Sequence, residues 1–369
     1  MWKKSNLAIL LGVFSMAIWI TALTLTFFQI YPLAKLAAFL GIVGFLILIQ
    51  FSSTVKGFSF TAWVLAAVGM ALMYPHHITV FLGFSTEDWI VPLIQLIMFG
   101  MGTTMGITDF YGILRMPKGV LIGLGCQFTI MPILAVILAN VFGFPPEIAA
   151  GVILIGSSPS GVSSNIITYL AKGNLPLSIT LTSFTTLLAP LVTPLLMKYL
   201  AGHYISLDYM SMMYGIIKML FIPVILGILV NRLLRTRATW IQKAMPGVAM
   251  GANVLIIAII IAVGRDSLLT LGIALLLGAI IHNAIGFLLG YWSCRFLGMS
   301  KIDCRTIAIE VGMQNGGMAA GIASDMGKAA TMGLFPAIFG TWMDISGSFL
   351  ANLWRKSLPK TVQPLKDSK

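Results

Sequence analysis

Two short stretches decide how this chain is read: GSSPSGVSSN, Gly156 to Asn165, and IEVGMQNGGMAAG, Ile309 to Gly321. Both lie inside long apolar runs, and both interrupt those runs with Gly or Pro and with oxygen-bearing side chains. Pro159 removes a backbone donor, and Gly161, Gly316 and Gly317 relax the chain around them. Each run is therefore expected to be a helix broken near its middle, the second at Gly316–Gly317. A broken helix leaves carbonyls free where its first half ends and amides free where its second half begins. Away from water those groups are costly unless something satisfies them.

The surroundings say that water is indeed absent. Of 369 residues, 58% are hydrophobic and 9% charged, against about 25% charged in soluble chains. Apolar runs long enough to cross a bilayer as helices are read at 7–28, 35–54, 58–74, 90–108, 118–142, 147–172, 176–201, 208–231, 246–264, 268–294, 304–325 and 329–354. They show no alternation with period two, which excludes a β-barrel. The first run is too long for a signal-peptide core and lacks a clear cleavage site, so it is read as a retained helix.

The net charge of +12 could suggest a nucleic-acid partner, but its distribution does not. Counted along the spans, Lys3, Lys4, Lys56, Arg115, Lys118, Lys172, Arg232, Lys243, Arg295, Lys301, Arg305 and the C-terminal basic residues share one side. Only Lys35, Lys198, Arg265 and Lys328 fall on the other. That bias orients a membrane protein with both termini in the cytoplasm. Cys126, Cys294 and Cys304 show no CxxC spacing, and His76, His77, His203 and His282 show no haem-like pairing. Packing is the reading for the cysteines.

The two interrupted runs stand about 155 positions apart, and the same offset carries Gln127 in the fifth span onto His282 and Asn283 in the tenth. Five spans separate corresponding elements, an odd number, so the two halves are inverted in the membrane. The expected fold is an all-α polytopic membrane protein. It has an N-terminal transmembrane hairpin over 1–56, a five-helix repeat over 57–203, its inverted copy over 204–356 and a basic cytoplasmic tail over 357–369. Matching broken helices in inverted halves point to a transporter's binding site.

The side chains at the breaks are hard oxygen donors: Ser157, Ser158, Ser164, Asn165, Glu310, Gln314 and Asn315. Ser178 and Thr182, four apart, share a face of the next helix. One carboxylate among neutral oxygens suits an alkali cation better than zinc or copper. Bland readings compete with this. Glu310 could form a buried ion pair with Lys218, the hydroxyls could merely join helices, and Pro159 could be a simple kink. Met313 and Met318 read as packing residues. No nucleophile–base pair suggests an enzyme.

At SSPSGVSSNIITYLAKGNLPLS, at Ile281–Gly290, at IEVGMQNGG and at the SGS within Ile345–Phe349, the chain resembles the bile acid:sodium symporter family, from about residue 57 to 354. The resemblance implies ten helices in inverted five-helix repeats, split into a core and a panel, with two discontinuous helices crossing in the core. It implies two sodium ions. One falls on Ser164, Asn165, Ser178, Thr182 and Glu310. The other falls on Gln127, Glu310 and Gln314, with the backbone carbonyls of Val311 and Met313. It implies a substrate pocket near Ser160, Gly161, Ser163, Asn315, Gly316 and Asp344, and a bacterial cytoplasmic membrane as the location.

The chain departs from the family at Ser157 and Ser158, where relatives often carry two Cys. It departs again at Ser160–Val162, where Gly-Gly-Thr is expected, and at Asp344–Ile345, where close bacterial relatives often have His-Asn. The expected activity is sodium-coupled symport of a small organic anion, a carboxylate or a bile-acid-like molecule, by alternating access. A proton-coupled carrier using Asp344, or a channel or receptor on the same fold, is the alternative.

Overall fold

The computed structural model describes residues 59–105, 115–234 and 239–356. The N-terminal hairpin expected over 1–56 and the tail over 357–369 lie outside the described residues. What is described is almost entirely helical. In chain order the helices are α1 Ser59–Met73, α2 Ile90–Thr104, α3 Pro117–Phe142, α4 Pro146–Gly156, α5 Ser163–Leu170, α6 Leu175–Leu200 and α7 Tyr209–Ile216. A π-helical turn, Ile217–Phe221, joins α7 to α8 Ile222–Leu234. There follow α9 Thr239–Val263, α10 Arg265–Phe296, α11 Lys301–Gly312, α12 Gly316–Asp325 and α13 Leu334–Lys356.

Local sequence explains the helix ends. Prolines open α3 and α4, where a missing N–H costs nothing. Asn174 caps α6 by accepting from Leu177 N, Asp208 caps α7 by accepting from Met210 N, and Ser300 caps α11 by accepting from Asp303 N. The Ser300 hydroxyl also donates to the Asp303 carboxylate at 2.8 Å, which ties the first turn of α11 together. Gly143 ends α3 in the left-handed conformation, φ 60°.

Among the described residues, five helical segments are long and apolar enough to cross a membrane: Pro117–Phe142, Leu175–Leu200, Tyr209–Leu233, Lys243–Val263 and Arg265–Phe296. Their solvent-excluded side is unusual. Gln127, Ser164, Ser178, Thr182, Glu310 and Gln314 are buried, while Leu121, Val141, Leu191, Ile273 and Leu288 are exposed on the outside. A soluble protein arranges these residue types the other way round. Polar groups inside and leucines outside are what lipid as solvent demands, so the chain is a multi-pass membrane protein.

The helices pack in two groups. In one, α2 lies against α8 and α9, and α9 against α1. Gly102 and Gly227 allow the α2–α8 approach: a Cβ on Gly102 would lie 2.2 Å from the Val224 carbonyl oxygen, and one on Gly227 2.3 Å from that of Phe99. In the other group, α10 packs on α3, α11 and α13, and α3 on α4 and α6. The two groups meet where Gly321 of α12 sits under Ile94 of α2 and Met219 of the π turn.

The two interruptions come together inside the second group. Gly161 N donates to Met313 O and Asn315 N to Pro159 O, each at 2.8 Å, around an antiparallel bridge between Ser160 and Gln314. The second break falls earlier than expected. Met313 to Asn315 form the extended piece, and Gly316 and Gly317 already belong to α12. The reason is the Asn315 side chain, which accepts from Met318 N at 2.9 Å and starts the new helix there. Gly161 is required at the crossing, since a Cβ would lie 2.6 Å from the Gln314 carbonyl oxygen.

Candidate functional site

Glu310 lies in the last turn of α11, 2% exposed, just before the break. Ser164 Oγ donates to Glu310 Oε1 at 2.6 Å, Ser178 Oγ approaches the same oxygen at 2.5 Å, and Thr182 Oγ1 lies 2.9 Å from Oε2. Asn165 Oδ1 is 2.8 Å from Ser178 Oγ and 3.5 Å from Thr182 Oγ1. Ser164 comes from the first turn of α5, and Ser178 and Thr182 from one face of α6. Lys218 is exposed, and its carbonyl accepts from Gln95. The ion pairs among the described residues are Arg265–Asp266 and Lys328–Glu147, so the Lys218–Glu310 reading is set aside.

Each hydroxyl can donate once. Ser164, Ser178 and Thr182 each donate to the carboxylate, so the 2.8 Å approach of Asn165 Oδ1 to Ser178 Oγ is left without a proton of its own. A hard monovalent cation fits such a set: one formal negative charge, neutral oxygens and no thiolate. Among the described residues no group of three His, Cys, Asp or Glu side chains is placed to hold a metal.

The second set of expected ion ligands lies on the other side of the crossing. Gln127 Nε2 donates to Gln314 Oε1 at 2.7 Å and to Ser158 O at 2.9 Å. Gln314 Nε2 donates to Val311 O at 2.7 Å, and Met313 O accepts from Gly161 N. Gln127 Oε1 is buried with no partner among the described residues. A buried amide oxygen left without a donor, on a side chain whose Nε2 is tied to Ser158 O and Gln314, again suits a cation. The Glu310 carboxylate makes its hydrogen bonds within the first cluster, while its backbone carbonyl accepts from Ser160 Oγ at 3.1 Å.

The residues expected at the substrate are spread around the same crossing. Ser160 is buried, and its amide faces Thr185 Oγ1 at 3.4 Å. Ser163, partly exposed, lies beside the Asp344 carboxyl on α13. Gly316 packs against the Pro336 carbonyl and Gly340, also on α13. Asn315 Nδ2 is buried with no partner among the described residues, although its Oδ1 caps α12.

Sequence reasoning missed several supports. Thr168 lies 3.3 Å from Ser178 Oγ, and Thr193 donates to Ser157 O at 2.8 Å. Asn283 Nδ2 donates to Gly312 O at 2.8 Å and its Oδ1 accepts from Ser346 at 2.6 Å, which fixes the end of α11 from α10 and α13. Helical spacing could have found Thr185, three residues beyond Thr182. The repeat offset singles out Asn283 as the counterpart of Gln127, but not its partner, a backbone carbonyl.

Comparison with known proteins bears on this arrangement. The Sodium Bile acid symporter family profile matches residues 91–272. An uncharacterised sodium-dependent transporter of Bacillus subtilis, YocS, is 37% identical over 320 residues, covering 85% of this chain and 95% of YocS. The chain belongs to the sodium bile acid symporter family. Two further members are the probable sodium/metabolite cotransporters BASS1, chloroplastic, of Arabidopsis thaliana and of rice (Oryza sativa subsp. japonica). They are 31% and 32% identical, covering 85% and 86% of this chain and 78% and 77% of their own lengths. Membership of the symporter family makes the chain a membrane transporter and not an enzyme. The segment matched by the family profile holds Gln127, Ser164, Asn165, Ser178 and Thr182, while Glu310 and Gln314 lie beyond it.

Proposed function

We propose that this chain is a sodium-coupled symporter of a small organic anion that works by alternating access. The observation that carries the reading is the Glu310 carboxylate, buried among the neutral oxygens of Ser164, Asn165, Ser178 and Thr182 with no cationic side chain paired to it among the described residues. Sodium at this cluster would supply the missing positive charge. A second sodium would take Gln127, Gln314, Glu310 and the carbonyls of Val311 and Met313. The relatives' printed names, sodium-dependent transporter and sodium/metabolite cotransporter, agree with sodium as the driving ion.

The architecture proposed is two inverted five-span units. The first is α1, α2, α3, α4 with α5, and α6; the second is α7 with α8, α9, α10, α11 with α12, and α13. The α1, α2, α7–α8 and α9 group would form the panel, and the remaining helices the core. The meeting of the two interruptions supports this pairing. Filling the ion sites would fix the two second-half N-termini, at Ser163 and Gly316, where a substrate carboxylate docks with Asn315 Nδ2 donating. Ser160, Gly161 and Asp344 would complete the pocket. Both termini would face the cytoplasm of a bacterial cell.

A proton-coupled carrier is the second reading, favoured by Asp344, a titratable side chain beside Ser163 at the same crossing. The test is uptake of a small-carboxylate panel into proteoliposomes with and without an inward sodium gradient at fixed pH. Uptake that follows a proton gradient and ignores sodium supports the second reading over the first.

A further inference from the structure

Between α1 and α2 the chain forms a β-hairpin, Val80–Phe81 paired with Phe84–Ser85. Its turn is Leu82, φ 51°, and Gly83, φ 83°. Positive φ at both positions is the geometry of tight hairpins, which favours Asn-Gly; leucine at the first is costly because of its Cβ. The tip is also apolar and exposed: Phe81 is 51% exposed, Leu82 82% and Phe84 70%. Phe81 stands edge-on to the half-exposed Trp89 at 5.7 Å. The base is held firmly and is polar. Thr86 Oγ1 donates to Ile78 O at 2.6 Å, and His76, His77 and Asp88 are exposed around it.

An apolar tip is unfavourable in water and favourable where water ends, and this hairpin joins the apolar helices α1 and α2, which the sequence reads as the spans 58–74 and 90–108. Two residues per strand and the turn give it a reach of about 7–10 Å, comparable with the depth at which interfacial segments bury their apolar face. Phenylalanine, leucine and tryptophan without a cation suit the headgroup–acyl boundary. We propose that the Phe81–Phe84 tip inserts into the lipid interface and anchors the α1–α2 end of the protein to the bilayer. The inference does not depend on what the protein transports.

The experiment uses the full chain in phosphatidylcholine liposomes, with L82C carrying an environment-sensitive fluorophore. Cys126, Cys294 and Cys304 are buried, and the unsubstituted protein measures any labelling of them. A D88C label on the polar base is the water-facing reference. The expected result is quenching at least about twofold stronger by a shallow than by a deep doxyl-labelled lipid, with iodide quenching well below that of the D88C label. Iodide quenching equal to D88C, without lipid quenching, would place the tip in water and overturn the proposal. So would L82C–L82C cross-linking across two copies. In the F81S/F84S background the L82C label should become accessible to iodide; continued lipid quenching there would show that the aromatic tip is not the anchor.

Discussion

Replacing Glu310 with Gln removes the one formal charge in the oxygen cluster while keeping its shape. The hydroxyl oxygens approach the carboxylate at 2.5–2.9 Å. A cation in the same shell gains a gross attraction on the order of 6 kcal/mol at an effective dielectric of 20. The Gln oxygen and the smaller desolvation cost recover roughly half, leaving a loss of about 3 kcal/mol, or about a hundredfold in affinity. The assay is thermal unfolding of purified protein in sodium against potassium at constant ionic strength. At sodium one hundred times the wild-type Kd, wild type should gain about 2.7 kcal/mol and E310Q about 0.4. At about 3 °C per kcal/mol these are shifts of roughly 8 °C and 1 °C. Without sodium the order should reverse or level, because an uncompensated buried charge is gone. An E310Q protein with the full wild-type sodium shift would refute the assignment of Glu310 as an ion ligand.

Four further outcomes are expected. T182V and Q127A each remove one neutral oxygen, so sodium affinity measured by the same unfolding shift should fall about fivefold to tenfold without loss of fold. G161A must displace the Gln314 carbonyl at the crossing, and should lower stability by about 1–3 kcal/mol in chemical or thermal unfolding. N283A leaves the Gly312 carbonyl without its side-chain donor and the Ser346 hydroxyl with only the Met343 carbonyl, costing about 1–3 kcal/mol and weakening sodium binding in proportion. K328A breaks only the half-exposed pair with Glu147, so its effect on stability should stay within about 1 kcal/mol.

Much of this protein was legible in one dimension. Hydropathy alone marks helices from 59 to 356, because in lipid a segment that cannot satisfy its own backbone cannot cross. Pro159 and the glycines marked the two interruptions, since those residues change the backbone whatever surrounds them. Glu310 stood out for the same kind of reason: a carboxylate in an apolar run has a large cost that must be met somewhere. What the order of residues did not contain was the meeting of the two breaks. Gly161 N reaches Met313 O only because tertiary packing brings the ends of α4 and α11 to one point. The second break's true place, at Met313–Asn315, followed from that pairing together with the Asn315 cap. The partners of Glu310 were likewise decided in three dimensions. Lys218 has the right charge, but the tertiary structure turns it outward and brings hydroxyls from α5 and α6 to the carboxylate. Asn283 holds a carbonyl, and every residue carries one, so only the folded chain selects Gly312. Local chemistry sets which segments cross the membrane and where they break. Long-range packing decides which free groups at those breaks face each other.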